Sequence, residues 1–226
     1  MSDFTRYAVY YLPSGPLAEF GARWLGWDID GAAAVAQPQV KGFDIAAATA
    51  APRKYGFHAT MKAPFRLAPP HGEVELQSAL ADLVDALLPV ALGPLALTRI
   101  GQFIALTATG NPSGINAIAA ACVTELDGFR NPAPPQETAR RRAAGLSPRQ
   151  EHLLAKWGYP HVMDCFRFHM TLTGKLDAAV ADQAFDAILQ EAGDLLDHPQ
   201  TLDCLALVGE RQDGQFQTIH RFTLSD

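Results

Sequence analysis

Apolar and polar residues alternate with a period of two in two stretches of this chain, and each stretch carries a histidine. In the first, Phe57, Ala59, Met61 and Ala63 interleave with His58, Thr60 and Lys62. In the second, Phe166, Phe168, Met170 and Leu172 interleave with Arg167, His169, Thr171 and Thr173. A period of two is a strand with one buried face, so each imidazole and the hydroxyl two residues later should emerge on the same side. Lys62 in one strand and Thr173 in the other should follow on that same side.

The flanking pattern predicts the remaining elements. A strand is expected over 6–12, ended by Pro13 and Gly15, then a helix from Pro16 with Leu17, Phe20, Trp24 and Leu25 on its apolar face. The Ala-rich stretch 28–52 has weak periodicity and reads as a loop with a short helix near 43–48. After Pro69, Pro70 and Gly72, the residues Val74, Leu76, Leu80, Leu83, Val84 and Leu87 give an amphipathic helix ending at Pro89. Apolar runs over 90–100 and 103–109 are expected to turn near Gly101. A helix over 116–129 follows. An insertion opening at Asn131 holds helical stretches around Arg140 and over 147–157. Past the second motif, Asp177 is placed to cap a helix running to about residue 196, followed by strands over 202–208 and 216–224 turned at Asp213 and Gly214.

Strand with motif, helix, hairpin therefore occurs twice, with the histidines half a chain apart, as a duplicated unit requires. The expected fold class is α+β: one domain over 1–226 made of two lobes, with antiparallel sheets around a central cleft. The first lobe spans about 1–110, a helical linker and insertion about 111–164, and the second lobe about 165–226. Hairpins and helices of this size cannot bury their apolar faces separately, so the lobes should pack together with their polar strand faces lining the cleft.

Composition changes this picture little. The 226 residues are 48% hydrophobic and 19% charged, enough for a substantial core. No run of about 18 apolar residues suggests a membrane span, and Met1-Ser2-Asp3-Phe4-Thr5-Arg6 lacks the layout of a signal peptide, so a cytoplasmic location is expected. Cys122, Cys165 and Cys204 show no Cys-x-x-Cys spacing and read as packing residues rather than disulfides or zinc ligands. The net charge of −6 disfavours a protein that grips long nucleic acid by phosphate neutralisation. Charge is unevenly spread, however. Arg53, Lys54, Lys62 and Arg66 lie in a stretch without acids, as do Arg167 and Lys175, which fits a small anionic ligand.

These residue types suggest a reaction. Opening a cyclic phosphate needs a water to lose a proton while the leaving oxygen gains one, and two imidazoles facing across a cleft, His58 and His169, can do both. Thr60 and Thr171 are placed to stabilise the nonbridging oxygens, with Lys62 helping and Thr173 as a further donor. The scheme requires no metal or other cofactor. Tyr55 is a candidate to stack on a base or sugar. Arg140, with Arg141 and Arg142, could reach substrate phosphate from the insertion. Tyr159, His161, Arg6, Tyr10 and Arg167 complete the candidate substrate contacts.

The paired His-x-Thr strands and the N-terminal stretch Arg6-Tyr7-Ala8-Val9-Tyr10 resemble the two-histidine (2H) phosphoesterases. Three longer strings resemble the branch of that superfamily encoded beside phosphonate-degradation genes: Tyr55-Gly56-Phe57-His58-Ala59-Thr60-Met61-Lys62-Ala63-Pro64-Phe65, Trp157-Gly158-Tyr159-Pro160 and Phe166-Arg167-Phe168-His169-Met170-Thr171-Leu172-Thr173. The resemblance implies a bilobal fold with a central groove, His58 and His169 as catalytic positions, and Thr60 and Thr171 holding phosphate. It also implies phosphoesterase chemistry on cyclic phosphates or 2',5'-linked phosphodiesters, with a small phosphorylated, nucleotide-like compound as partner. The superfamily adds two alternatives: RNA 2',5' end processing or ligation, with short RNA as partner, and a noncatalytic nucleotide- or RNA-binding module.

Overall fold

Along the first strand, Tyr7, Val9 and Tyr11 enter one apolar core while Ala8, Tyr10 and Leu12 enter another on the opposite face. A strand buried on both sides in this way belongs to the interior of a sheet. The computed structural model describes residues 4–143 and 145–225. Met1, Ser2 and Asp3, half of the stretch read above as lacking a signal, lie outside the described residues.

In chain order the elements are β1 (Arg6–Tyr11), α1 (Gly15–Leu25), β2 (Trp27–Asp28), β3 (Ala33–Ala34), α2 (Ile45–Arg53), β4 (Ala59–Leu67) and α3 (Glu73–Val84). The hairpin region follows as β5 (Val90–Gly93), β6 (Leu95–Ile100) and β7 (Phe103–Ala108). Then come α4 (Pro112–Glu125), β8 (Arg130–Asn131), α5 (Pro135–Arg142), α6 (Pro148–Trp157) and β9 (Met170–Thr171). The chain closes with α7 (Ala178–Ala192), β10 (Gln200–Leu202), β11 (Cys204–Glu210) and β12 (Phe216–Thr223). Helices and antiparallel sheets make this an α+β fold, as the alternation and helical periods predict. Among the described residues no helix is long and apolar enough to cross a membrane.

One sheet runs in the order β12-β11-β1-β4-β9-β7-β6, with β8 pairing the far end of β4. The first motif strand, β4, thus lies on the side of the C-terminal hairpin β11–β12, with β1 between them. The second, β9, lies beside the β6–β7 hairpin from the first half. The two halves in space exchange the hairpins of the two halves in sequence. The physical reason is that β1, apolar on both faces, fits between β11 and β4 and buries Ala8, Val9 and Tyr10 to 1% exposure or less.

Local differences from the expected elements have identifiable causes. The 28–52 stretch contains the short β2–β3 hairpin and a longer α2, because Asp44 caps Ala47 N–H at 3.0 Å and the alanines after it favour helix. The 90–100 run breaks at Gly93, with φ +70°, and Pro94. This break sends β5 to a separate two-stranded pair with β10. Asn111 caps Ser113 N–H at 2.9 Å and Pro112 occupies the first turn, so α4 begins and ends earlier than expected. Of the strand expected over 166–173, only Met170–Thr171 joins the ladder.

The core that backs the motif strands includes Met61, Leu106, Met170 and Leu172, each at 2% exposure or less. Truncating Leu106→Ala, on the strand that holds β9, should cost about 2–5 kcal/mol of stability in a urea melt. A loss under about 0.5 kcal/mol would show that this wall is not close-packed.

Candidate active site

One antiparallel pair, Ala59 opposite Met170, joins the two motif strands. Carried one residue to either side, this register sets His58 across from Thr171 and Thr60 across from His169. Ala59 and Met170 point into the core at 1% and 0% exposure, so their polar neighbours emerge together on the other face. His58, Thr60, His169 and Thr171 all line one cleft of about 440 Å³. The structure brings the two motifs together at this cleft.

Each imidazole is aimed by a backbone carbonyl two residues upstream. His58 Nδ1 lies 3.0 Å from the Gly56 carbonyl and His169 Nδ1 lies 2.8 Å from that of Arg167. A carbonyl only accepts, so Nδ1 carries the hydrogen in both rings and, in the neutral ring, Nε2 keeps its lone pair. The Thr60 hydroxyl lies 2.9 Å from His58 Nε2 and donates to it. Each ring also rests on an aromatic. Tyr10 stacks on His58 with centroids 3.7 Å apart and planes 19° from parallel, and Phe103 lies tilted at 5.7 Å from His169.

Burial pushes the His58 pKa down to about 4; the Gly56 carbonyl opposes this shift, and the charge of His169 adds to it. His58 is therefore neutral at pH 7. Its position depends on Gly56, which has φ +70° and sits where a Cβ would meet the Ile29 Cβ at 2.7 Å. Only glycine meets both conditions without strain.

The other expected contacts divide. Arg6, Tyr10, Tyr55, Arg140, Tyr159 and Thr173 line the same cleft. Arg6 is held by Glu210, with two nitrogen–oxygen contacts of 2.6 Å, and Tyr55 packs on Phe216 at 5.2 Å. Thr173 is 1% exposed; it accepts from Ile104 N–H and donates to the Gly174 carbonyl, both at 2.9 Å. Its hydroxyl thus fixes the wall instead of facing a ligand. Arg141 ion-pairs with Glu137 at 2.7 Å, bonds the Gly158 carbonyl and lies 5.2 Å over the Tyr159 ring. It braces Tyr159 at the cleft edge. His161 and Arg167 line an adjoining chamber of about 540 Å³ that shares Thr60, Phe103, Tyr159 and His169 with the cleft.

One expectation from strict alternation fails. Lys62 does not follow Thr60 into the cleft. The ladder pairs Tyr10 with Thr60 but Val9 with Lys62, so one extra residue in β4 bulges the strand and breaks the period of two. Lys62 turns inward at 3% exposure, donates to the Val123 carbonyl at 3.1 Å and lies 3.9 Å from Asp127. Burial lowers its pKa to about 8, with Asp127 opposing the shift. Arg167 lines the adjoining chamber but not the cleft that holds both histidines, because the chain before Met170 is not in the ladder. Sequence reasoning also missed Phe103 and Glu137, which line the cleft. Phe103 heads a strand that the pattern did find, but nothing local shows that this strand neighbours His169.

The family model described as a protein of unknown function (DUF1045) matches residues 60–217. Two curated proteins called ribose 1,5-bisphosphate phosphokinase PhnN are similar to the chain. The one from Janthinobacterium sp. (strain Marseille) is 36% identical over 94% of this chain and 49% of its own length. The one from Laribacter hongkongensis (strain HLHK9) is 37% identical over 76% of this chain and 40% of its own length. The chain thus spans about half or less of these relatives. A crystal structure of a phosphoesterase aligns over 99% of both chains with 14% identity and a TM-score of 0.46, too loose a likeness to bear on chemistry.

Two substitutions test the local geometry. Lys62→Met should leave ligand binding within about 3-fold, since the ammonium does not face the cleft. It should not lower the thermal midpoint at pH 7. The unfolded lysine holds its proton up to about 10.5, whereas the folded one releases it near 8, so the buried charge costs stability below 8 and this cost fades as pH rises to 10.5. A 100-fold loss of phosphate-ester binding would place Lys62 back among the ligand contacts. Gly56→Ala should destabilise by about 1–3 kcal/mol and release the His58 ring, visible as a raised His58 pKa in NMR titration. An unchanged pKa would remove Gly56 from the site.

Proposed function

This chain belongs to the DUF1045 family, and on that premise we propose that it is a metal-independent phosphoesterase of the two-histidine (2H) type, opening a small cyclic phosphate. The observation that carries the reading is the antiparallel pairing that sets both His-x-Thr units into one cleft with both Nδ1 atoms tied to carbonyls. Paired imidazoles with Nε2 directed at one site are suited to move two protons across one phosphorus.

In the proposed mechanism, His58, neutral at working pH, is the base. Thr60 turns its hydroxyl from His58 Nε2 to a nonbridging phosphate oxygen, freeing Nε2 to take a proton from the attacking water. The new phosphorus–oxygen bond forms as the ester bond to the ring oxygen breaks. His169, entering protonated, passes its Nε2 proton to that leaving oxygen. The products are a phosphate monoester and a hydroxyl in one molecule, and a proton returned from His58 to His169 through solvent resets the site. Thr171, opposite His58, donates to a second nonbridging oxygen as charge builds.

The names of the similar proteins suggest where to look for the substrate. Both are called phosphokinases of ribose 1,5-bisphosphate, and this chain corresponds to at most half of either. The pattern Gly-x-x-x-x-Gly-Lys-Ser/Thr, whose backbone cradles nucleotide phosphates, does not occur in this sequence. The kinase step is therefore not proposed for this chain. A cyclic phosphate of ribose is proposed instead, because its opening yields a ribose phosphate monoester of the kind such a kinase handles, a role consistent with phosphonate metabolism.

Phosphorus NMR of ribose cyclic phosphates incubated with the protein should show conversion of the cyclic resonance to a monoester. His58→Ala and His169→Ala should each slow conversion by about 100- to 10,000-fold while keeping the fold. Conversion at the parent rate in both variants would end the two-histidine reading. Ligand recovered unchanged from the parent would favour a binding module. The pH profile gives a second check. Because the His58 conjugate acid titrates at about 4, the acid limb of kcat/KM should fall near pH 4, with activity retained where an ordinary imidazole is already protonated. A limb near 6.5 would assign the base elsewhere.

A further inference from the structure

The charges around the cleft are not equivalent. Four cationic side chains line it: Arg6, Arg140, Arg141 and Lys175. Arg6 is ion-paired with Glu210, and Arg141 with Glu137. Arg140 and Lys175 are both exposed and make no ion pair or side-chain hydrogen bond among the described residues. They come from different parts of the chain. Arg140 lies in the last turn of α5, whereas Lys175 lies just past β9, four residues after Thr171. The sequence between them provides α6 and the turn to β9, so their meeting at one cleft is a product of the fold.

The cleft is also larger than a lone cyclic phosphate needs. At about 440 Å³ it has the size of a small-molecule pocket, and Thr60, Thr171 and the histidines already account for one phosphoryl group. Two uncompensated cations in the same cleft lack an anion, in a protein of net charge −6. The only acid lining the cleft among the described residues, Glu137, is already shared between Arg66 and Arg141. Nothing acidic there competes with a ligand for Arg140 and Lys175.

We propose that Arg140 and Lys175 form a second anion subsite in this cleft and that the ligand carries a second phosphoryl group, a monoester, besides the one between the histidines. This deepens the proposed phosphoesterase reading by assigning its substrate class: a cyclic phosphate of a sugar that is also phosphorylated at another hydroxyl. Arg140 offers a fork of N–H donors and Lys175 a point charge, a combination suited to a dianionic phosphate oxygen triad. Because both are exposed and uncommitted, replacing them should leave the fold and the histidine pair intact.

The test is calorimetric binding of ribose 1,5-bisphosphate and ribose 1-phosphate to the parent and to the double variant Arg140→Gln, Lys175→Gln. The parent should bind the bisphosphate at least about 30-fold more tightly, and raising salt should narrow the gap. The double variant should bind both compounds alike, within about 3-fold, with affinity for ribose 1-phosphate unchanged. A parent that binds the two compounds equally, or a preference that survives in the double variant, overturns the subsite. Because binding is read without turnover, the two proposals fail separately. A parent that prefers the bisphosphate but opens no cyclic phosphate retains the subsite and loses the hydrolase reading.

Discussion

The site depends on a single backbone pairing, Ala59 against Met170, through which the two motif strands meet. The four motif side chains in the cleft, His58, Thr60, His169 and Thr171, are set by it. It turns two apolar side chains into the core and places His58 and Thr171 on one side of the pair, with Thr60 and His169 on the other. The strands on either side hold it in place. Tyr10 pairs with Thr60 and also stacks on His58, and Leu106 pairs with Met170 at the bottom of the packed wall. Both histidines then take their orientation from the main chain, which has less freedom than any side chain that could do the same work.

How much of this was legible in the sequence follows from which constraints are local. The period-two alternation of Ala59, Thr60 and Met61 is a local signal, and it identified a strand and its polar face. The same reasoning failed one residue later, because the bulge in β4 is imposed by pairing with β1 and leaves no mark in the alternation around Lys62. Helix ends were misjudged where caps were overlooked, at Asp44 and Asn111. The exchange of hairpins between the two halves could not be read at all, since pairing partners across a sheet are not encoded in either strand's own pattern.

Charge shows the same division. The stretches around both motifs are free of acid in sequence, yet Lys62 and Arg66 are paired with Asp127 and Glu137 from elsewhere in the chain. Local composition therefore overstated the free positive charge of the cleft. What survives after folding is a smaller and more specific set, Arg140 and Lys175, on walls that the sequence gives no reason to bring together. The half-buried His58 is likewise a product of folding: its neutral state comes mainly from burial against Tyr10 and the cleft walls, with the charge of His169 adding to it.

In the proposed reaction both His-x-Thr units act on one phosphorus. A crystal structure of the protein with bound orthovanadate, a mimic of five-coordinate phosphorus, tests it most directly. One vanadium centre is expected, with oxygens within about 3.2 Å of both histidine Nε2 atoms and of the Thr60 and Thr171 hydroxyls. Vanadate bound to one histidine alone, with the other ring turned from the cleft, would contradict it.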